Sequence, residues 1–504
     1  MQDNSLVVNL INYIYIYLFP IVKKSVRPCK YNPNNIKFEK SNQIYIKDTK
    51  NIKIAIICDE MTYSSLSYEC DIVFLTPNNW LSKMIDFKPD ILFCESAWSG
   101  IKEYEDCWRG RIYKNNKLKF ENRKILFNIL DYCKRAEIKT VFWNKEDPVF
   151  FNHSIYNFTD TALHFDYIFT TAKECVEKYK SMGHSNVNLL MFGFSPRLYN
   201  PLGSSIKEDL CIFAGSWYSD QPQRCKDMNK ILSLILKENL NYKIYDRNYN
   251  SGNPVNKFPE KYQPFLNKGI SFTELNSVIK KASYAVNINT ATDSETMFAR
   301  RVFETMACNT CIISNYSLGM ERLFGDNVWF INKTFDKGLI KEKCNHNVDV
   351  VFKNHTYKKR LEQILDALGI KYTDSHIAVI YEGSELEKCI HHYETIDIIN
   401  KDGYIINGNV VNSLYGGKEI DLECLYNENE YGYFIIINVE TIDNFDIDIA
   451  MQHFSYIDCN VGIRKGDSSY EFESDSNNIN TVFNIKMMKR VFNDSKIEIK
   501  KYLI

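Results

Sequence analysis

From Asn51 onward, short unbroken apolar runs alternate with longer segments in which apolar residues recur every three or four positions. The short runs read as strands: Ile52–Cys58 (IKIAIIC), Asp71–Thr76 (DIVFLT), Asp90–Ser96 (DILFCES), Lys139–Asn144 (KTVFWN), Asp166–Thr171 (DYIFTT) and Val187–Phe192 (VNLLMF). Runs without polar alternation suit strands covered by helices on both faces. Glu121–Ile138 has helical spacing, and the alternation as a whole predicts parallel α/β layers. Gly193–Gly203, rich in Gly and Pro, reads as the link between two lobes. A second α/β set starts at Leu210–Trp217 and continues through Tyr242–Asp246. Thr356–Gly369 is amphipathic, ends on glycine and reads as the helix that closes the second lobe.

The pattern is most specific in Asn287–Ile331. It predicts a strand over Tyr284–Asn289, a polar loop, a helix capped by Ser294 or Asp293, and then strand, short helix and strand. The first unpartnered N–H groups of that helix fall near Thr296, Met297, Phe298 and Ala299, where the helix dipole favours a phosphate. Arg300 lies one turn before Glu304, so the two offer a cation and a carboxylate to one ligand. A carboxylate so placed can accept both hydroxyls of a ribose. The Gly215–Ser216 turn lets backbone approach a phosphate, and Arg247 follows a second-lobe strand at the height of the cleft. On the first lobe, Trp143–Ser154 (WNKEDPVFFNHS) follows a strand, and ligands bind beyond the carboxyl ends of such strands. It gathers Lys145, Glu146, Asp147 and His153, and a carboxylate or imidazole there can take a proton from an acceptor. Plainer roles stand beside these. Glu146 and Asp147 can cap the turn before Pro148, Trp98 can pack in the core instead of stacking on a sugar, and Arg300 and Arg301 can be solvated charges.

Composition narrows the picture. A chain of 504 residues is too long for one core. With 62 Lys and Arg against 63 Asp and Glu, no basic excess points to nucleic acid. The fifteen cysteines lie scattered in apolar runs and read as reduced, buried thiols of a cytoplasmic protein. Cys308 and Cys311 are read as packing residues, not as a metal or redox pair. Val7–Val22 is too short to span a bilayer and is broken by Asn9, Asn12 and Pro20, so no transmembrane segment is expected. Lys23, Lys24 and Arg27 behind it leave weak peripheral membrane contact open.

TDSETMFARRVFETMACNTCIISNYSLG (Thr292–Gly319) resembles the CgeB/YkvP-like family of GT-B glycosyltransferases, proteins of spore maturation and surface glycans. FCESAWSG (Phe93–Gly100), TVFWNKEDPVFF (Thr140–Phe151), DYIFTT and FAGSWY (Phe213–Tyr218) extend the likeness over Asn51–Tyr372. Where the family has Gly and Pro before its next strand, this chain has Asn309 and Cys311. Asn tolerates the left-handed conformation that ends a helix, so the cap is expected to survive.

The resemblance implies two Rossmann-like lobes of GT-B type: an N-terminal extension at 1–50, an acceptor-side lobe at 51–195 and a nucleotide-sugar lobe at 196–371. It implies sugar transfer from a nucleotide-sugar donor to a surface or spore glycan or to a protein, with no metal and no other cofactor. Catalysis is expected from His153, Glu146 and Asp147. Donor contacts are expected from Gly215, Ser216, Arg247, Thr296, Met297, Phe298, Arg300, Arg301 and Glu304. Many GT-B enzymes of family 4 carry a second glutamate eight residues before the ribose glutamate; Thr296 stands there. The tail, 372–504, resembles a truncated family-2 GT-A domain whose metal loop has become NVETID, leaving Glu440 and Asp443 as its carboxylates. It is read as a degenerate module serving acceptor binding or oligomer formation. The alternative is a non-catalytic protein of the same fold that binds a nucleotide or glycan in a coat or scaffold.

Overall fold

The computed structural model describes residues 28–40, 47–204 and 206–373, and in the tail 377–396, 401–407, 410–415, 420–421, 433–438 and short stretches up to 503. Val7–Val22, Glu440 and Asp443 lie outside the described residues.

The first lobe has strands β1 (Lys53–Ile57), β2 (Asp71–Phe74), β3 (Ile91–Glu95), β4 (Lys139–Asn144), β5 (Tyr167–Thr170) and β6 (Val187–Leu189). They form a wholly parallel sheet in the order β2-β1-β3-β4-β5-β6. Helix α1 (Lys124–Ala136) buries Leu126, Ile129, Tyr132, Cys133 and Ala136, the stripe its spacing predicts. The second lobe has β7 (Glu208–Gly215), β8 (Tyr242–Asp246), β9 (Leu266–Lys268), β10 (Ala282–Asn287), β11 (Cys311–Ser314) and β12 (Trp329–Phe330), again parallel, in the order β9-β8-β7-β10-β11-β12. The fold is thus α/β with two Rossmann-like lobes. Strand order reverses between β1 and β3 in one sheet and between β7 and β10 in the other. Each reversal opens a crevice at the carboxyl ends of its strands.

Helices α2 (Pro222–Lys237), α3 (Arg301–Ala307) and α4 (Ile340–Asn354) belong to the second lobe. The last amphipathic helix, α5 (Tyr357–Leu368), has its expected caps: Thr356 accepts from the Lys359 N–H, and Gly369 follows at φ 66°. Its partner differs from expectation. Tyr357, Leu361, Ile364, Leu365 and Leu368 pack into the core of the first lobe, so this helix completes the first lobe and not the second. The chain therefore crosses between lobes twice, and the crossings are bonded together. The Phe194 N–H donates to His355 O (3.0 Å) and the Tyr357 N–H to Phe194 O (2.9 Å). Arg360 donates to the carbonyls of Met191 (2.8 Å), Phe192 (2.8 Å) and Asn354 (3.0 Å).

In the tail, Ile377–Glu382 lies between Lys401–Asn407 and Tyr433–Asn438, parallel to both, within a mixed sheet. Ile377, Val379, Tyr381, Ile435 and Ile437 share one apolar core with Val348, Val351 and Phe352 of α4. Among the described residues no helix is long and apolar enough to cross a membrane.

Candidate functional site

The carboxyl ends of the two sheets face each other across an open cavity of about 900 Å³. The second lobe contributes the end of β7 at Gly215, the loop Asp246–Ser251 after β8, Lys268–Ile270 after β9, and Ala299, Arg300, Arg301 and Glu304. The first lobe contributes Met61, Lys145, Glu146 and Phe192. A Cβ on Gly215 would stand 2.6 Å from the Phe213 ring, so only glycine fits there and the backbone lies bare at the cavity.

The predicted helix start is corrected. Residues 291–299 are not helical and α3 begins at Arg301, because tertiary contacts claim the preceding stretch. Ser294 Oγ takes the Met297 N–H (3.0 Å) and Asn289 Oδ1 takes that of Ala299 (3.0 Å). Thr296 Oγ1 accepts from the Lys173 N–H (2.9 Å) and donates to Thr171 O (2.9 Å), both on the first lobe. Met297 packs against the first-lobe core and Phe298 is buried in the second. Thr296 and Met297 thus join the lobes, Phe298 packs within the second, and none of the three lines the cavity; the helix start that would have presented their N–H groups to a phosphate is not formed. Downstream, Asn309 takes the left-handed conformation expected of it (φ 55°), and Cys308 and Cys311 are buried and free.

Arg300 and Glu304 meet as predicted, with Nε and Oε1 2.8 Å apart. Glu304 is buried and Arg300 partly so, and the Tyr199 hydroxyl donates to the Glu304 carboxylate. Arg301 lies over the Phe213 ring, 6.0 Å from its centroid. Burial, with the charges of Arg247, Arg300 and Arg224 against the opposing pull of Glu304, holds the Arg301 pKa down at about 10. Arg224, from the first turn of α2, donates to Ile288 O (3.2 Å), and burial lowers its pKa. Arg247 donates to the Tyr218 hydroxyl (3.1 Å). No salt bridge forms to Arg224, Arg247 or Arg301 among the described residues. Ser216 is buried behind the cavity, where its Oγ accepts from Asn248 Nδ2 (3.0 Å) and fixes the loop after β8.

On the first lobe, the fully buried Glu95 at the end of β3 lies 2.6 Å from Lys145 Nζ. It also accepts from the Asp59 N–H (2.7 Å) and the Thr62 hydroxyl (2.5 Å). Asp59 in turn accepts from the N–H groups of Trp98 (2.8 Å), Ser99 (2.9 Å) and Gly100 (2.8 Å). Of the three catalytic candidates only Glu146 lines the cavity. Burial raises its pKa, and it accepts from Trp98 Nε1 (2.9 Å). Trp98 itself packs among Tyr113, Phe150, Tyr156 and Phe158, so the packing role holds for it. Asp147 lies behind the wall, held by Asn144 (2.9 Å), Thr170 (2.7 Å) and Tyr179 (3.1 Å), with its pKa raised to about 7 by burial. His153 turns to its own loop: Nδ1 accepts from the N–H groups of Ile155 (3.2 Å) and Tyr156 (3.1 Å), and the ring stacks on Tyr156. His153 is thus claimed by backbone N–H groups of its own loop, and Asp147 by the buried side chains of Asn144, Thr170 and Tyr179.

Sequence reasoning missed Arg224 and Glu95. The signal for the first is a cation in the opening turn of the helix after a glycine-ended strand; for the second, a lone carboxylate ending an otherwise apolar strand. Among the described residues no group of three or more His, Cys, Asp or Glu side chains is placed to hold a metal ion.

No curated protein matches this sequence. Among solved structures the chain is similar to the HepE protein of Anabaena, solved with UDP and glucose (10% identity, 63% of this chain and 100% of that one, TM-score 0.40). It is also similar to a glycosyltransferase of Rickettsia africae (9% identity, 65% and 99% coverage, TM-score 0.42). A third is an α-glucosyltransferase solved with UDP and DNA (11% identity, 63% and 99% coverage, TM-score 0.42). Likenesses this loose bear on no residue of the site. The segment from Lys237 to Asp366, which carries β8 to β12, α3, α4 and most of α5, matches a family model described as glycosyl transferase-like.

Proposed function

We propose that the chain is a metal-independent glycosyltransferase, moving a sugar from a nucleotide-sugar donor to a surface or spore glycan or to a protein on the cytoplasmic side. The observation that carries this reading is the group of guanidinium side chains, Arg224, Arg247 and Arg301, that face the cavity beside bare Gly215 without a carboxylate partner among the described residues. Arg224 and Arg301 are partly buried and Arg247 is exposed, and none forms a salt bridge among the described residues; a ligand bearing a diphosphate supplies the counter-charge and is met by guanidinium forks. Glu304, flanked by Arg300 and Tyr199, takes the ribose hydroxyls. Glu146, across the cavity, takes the acceptor proton, and its raised pKa moves it toward the range in which a general base works best. The glycosyl transferase-like match over 237–366 supports the same reading.

A thermal-shift panel of nucleoside diphosphates, run with and without EDTA, tests it. A ligand at about 100 times its Kd stabilises by about 2.7 kcal/mol, enough to rank the bases, and EDTA leaves that shift unchanged. Glu304→Ala weakens the best nucleotide about 10- to 100-fold, the loss of a charged hydrogen bond; unchanged affinity removes the ribose assignment. Binding without turnover on any sugar nucleotide favours the coat or scaffold alternative.

A further inference from the structure

We propose that Tyr218 is a positioning residue that holds Arg224 and Arg247 together at the cavity for one diphosphate; the proposal rests on the nucleotide-sugar reading above. Tyr218 is not itself part of the cavity wall, whereas both arginines are. Its backbone is locked at the start of α2, where its carbonyl accepts from the Gln221 N–H (3.0 Å) and the Cys225 thiol (3.2 Å). From that fixed point one side chain serves two cations that arrive on different elements. Its hydroxyl accepts from Arg247 Nη2 at 3.1 Å, and its ring lies under the Arg224 guanidinium, 5.5 Å from carbon to centroid.

Two guanidinium groups brought to one wall repel each other, and each long side chain is ordered at an entropic cost. A carboxylate between them would cancel both effects, but it would also neutralise the charge a diphosphate needs. A phenol does the first without the second. Its oxygen is a neutral acceptor and its ring face attracts a cation without compensating its charge. Both arginines thereby keep a defined direction and their full attraction for an anion. Arg301 completes the wall from α3 over the ring of Phe213, held in the same neutral way.

The test is calorimetric titration of the full chain with inorganic pyrophosphate and with UDP, on wild type, Tyr218→Phe, Tyr218→Ala and the double variant Arg224→Met with Arg247→Met. Tyr218→Ala, which frees both arginines, weakens pyrophosphate about tenfold; Tyr218→Phe, which keeps the ring under Arg224, weakens it only about threefold. Added to the double arginine variant, Tyr218→Ala changes affinity no further, because its effect passes through those two side chains. The proposal is overturned if Tyr218→Ala binds both probes like wild type, if it only lowers the melting temperature, or if its loss adds in full to that of the double variant. Should Tyr218→Ala fail to fold, the comparison of Tyr218→Phe with wild type decides alone, and equal affinities overturn the proposal. If wild type binds neither probe, the nucleotide-sugar reading itself falls; if wild type binds and the tyrosine variants are indistinguishable from it, only the positioning role falls.

Discussion

On the first-lobe wall, charge is matched inside the protein: Glu95 with Lys145 at 2.6 Å, and Asp59 with the N–H groups of Trp98, Ser99 and Gly100. On the second-lobe wall, Arg224, Arg247 and Arg301 face the same cavity without a salt bridge among the described residues. The first arrangement is complete before any ligand arrives, and its removal is felt as lost stability. Under the proposed function the second is completed by a ligand, and its removal is felt as lost binding. Two walls of one cavity thus divide the work of shape and affinity between them.

The largest effect that would separate the walls is Lys145→Ala. It strands a buried carboxylate, so the chain loses about 3–5 kcal/mol in urea unfolding. Replacing Glu95 by Leu together with Lys145 by Met restores most of that stability, whereas a ligand-dependent wall would not recover. Next is the pH dependence of Asp147. Its pKa is about 7 in the folded chain against the usual 3.8, so the folded state binds its proton more tightly. Stability from this group is therefore fully present below about pH 4 and is lost as pH rises through 7. Asp147→Asn removes that fall, about 4 kcal/mol in order of magnitude, from the pH profile of urea melts.

Arg301→Met tests the other wall. Nucleoside diphosphate affinity drops about 30-fold while the melting temperature holds or rises, since a partly buried cation without a salt bridge is removed. A clear loss of stability in that variant would erase the contrast between the lobes. The smallest effect is His153→Ala, which frees two backbone N–H groups and costs about 1 kcal/mol of stability. Turnover stays at the wild-type level, and a fall in kcat would return His153 to the chemistry.

The strands of both lobes were legible because apolar runs such as KTVFWN and YKIYD are short and stand between polar or amphipathic segments. The Arg300–Glu304 pair was legible because helical spacing alone brings residues four apart together. What misled was a periodicity that outran its helix: Met297, Phe298 and Val302 keep a helical rhythm, but Ser294 and Asn289 take the backbone N–H groups of Met297 and Ala299, and the Thr296 hydroxyl ties the stretch to Thr171 of the first lobe. His153 and Asp147 show the same limit. Their neighbours in sequence made them look catalytic, and only the folded loop reveals which way each side chain turns. Arg224 stayed hidden because nothing in the residues beside it singles it out; only the fold brings it to Ile288 O and the cavity.

The return of α5 into the first lobe has a consequence for cutting and joining this chain. The first lobe is not a continuous stretch of sequence, so a fragment ending near Ser195 would expose the groove that Leu361, Ile364 and Leu365 fill. Expressing the first lobe alone requires grafting 356–370 back onto it, with the Arg360 clasp intact. A chimaera that exchanges the second lobe has to be spliced at two places, on either side of the paired crossings at Phe194 and Tyr357. A new second lobe is best inserted there like a cassette between two fixed ends, not appended like a bead on a string.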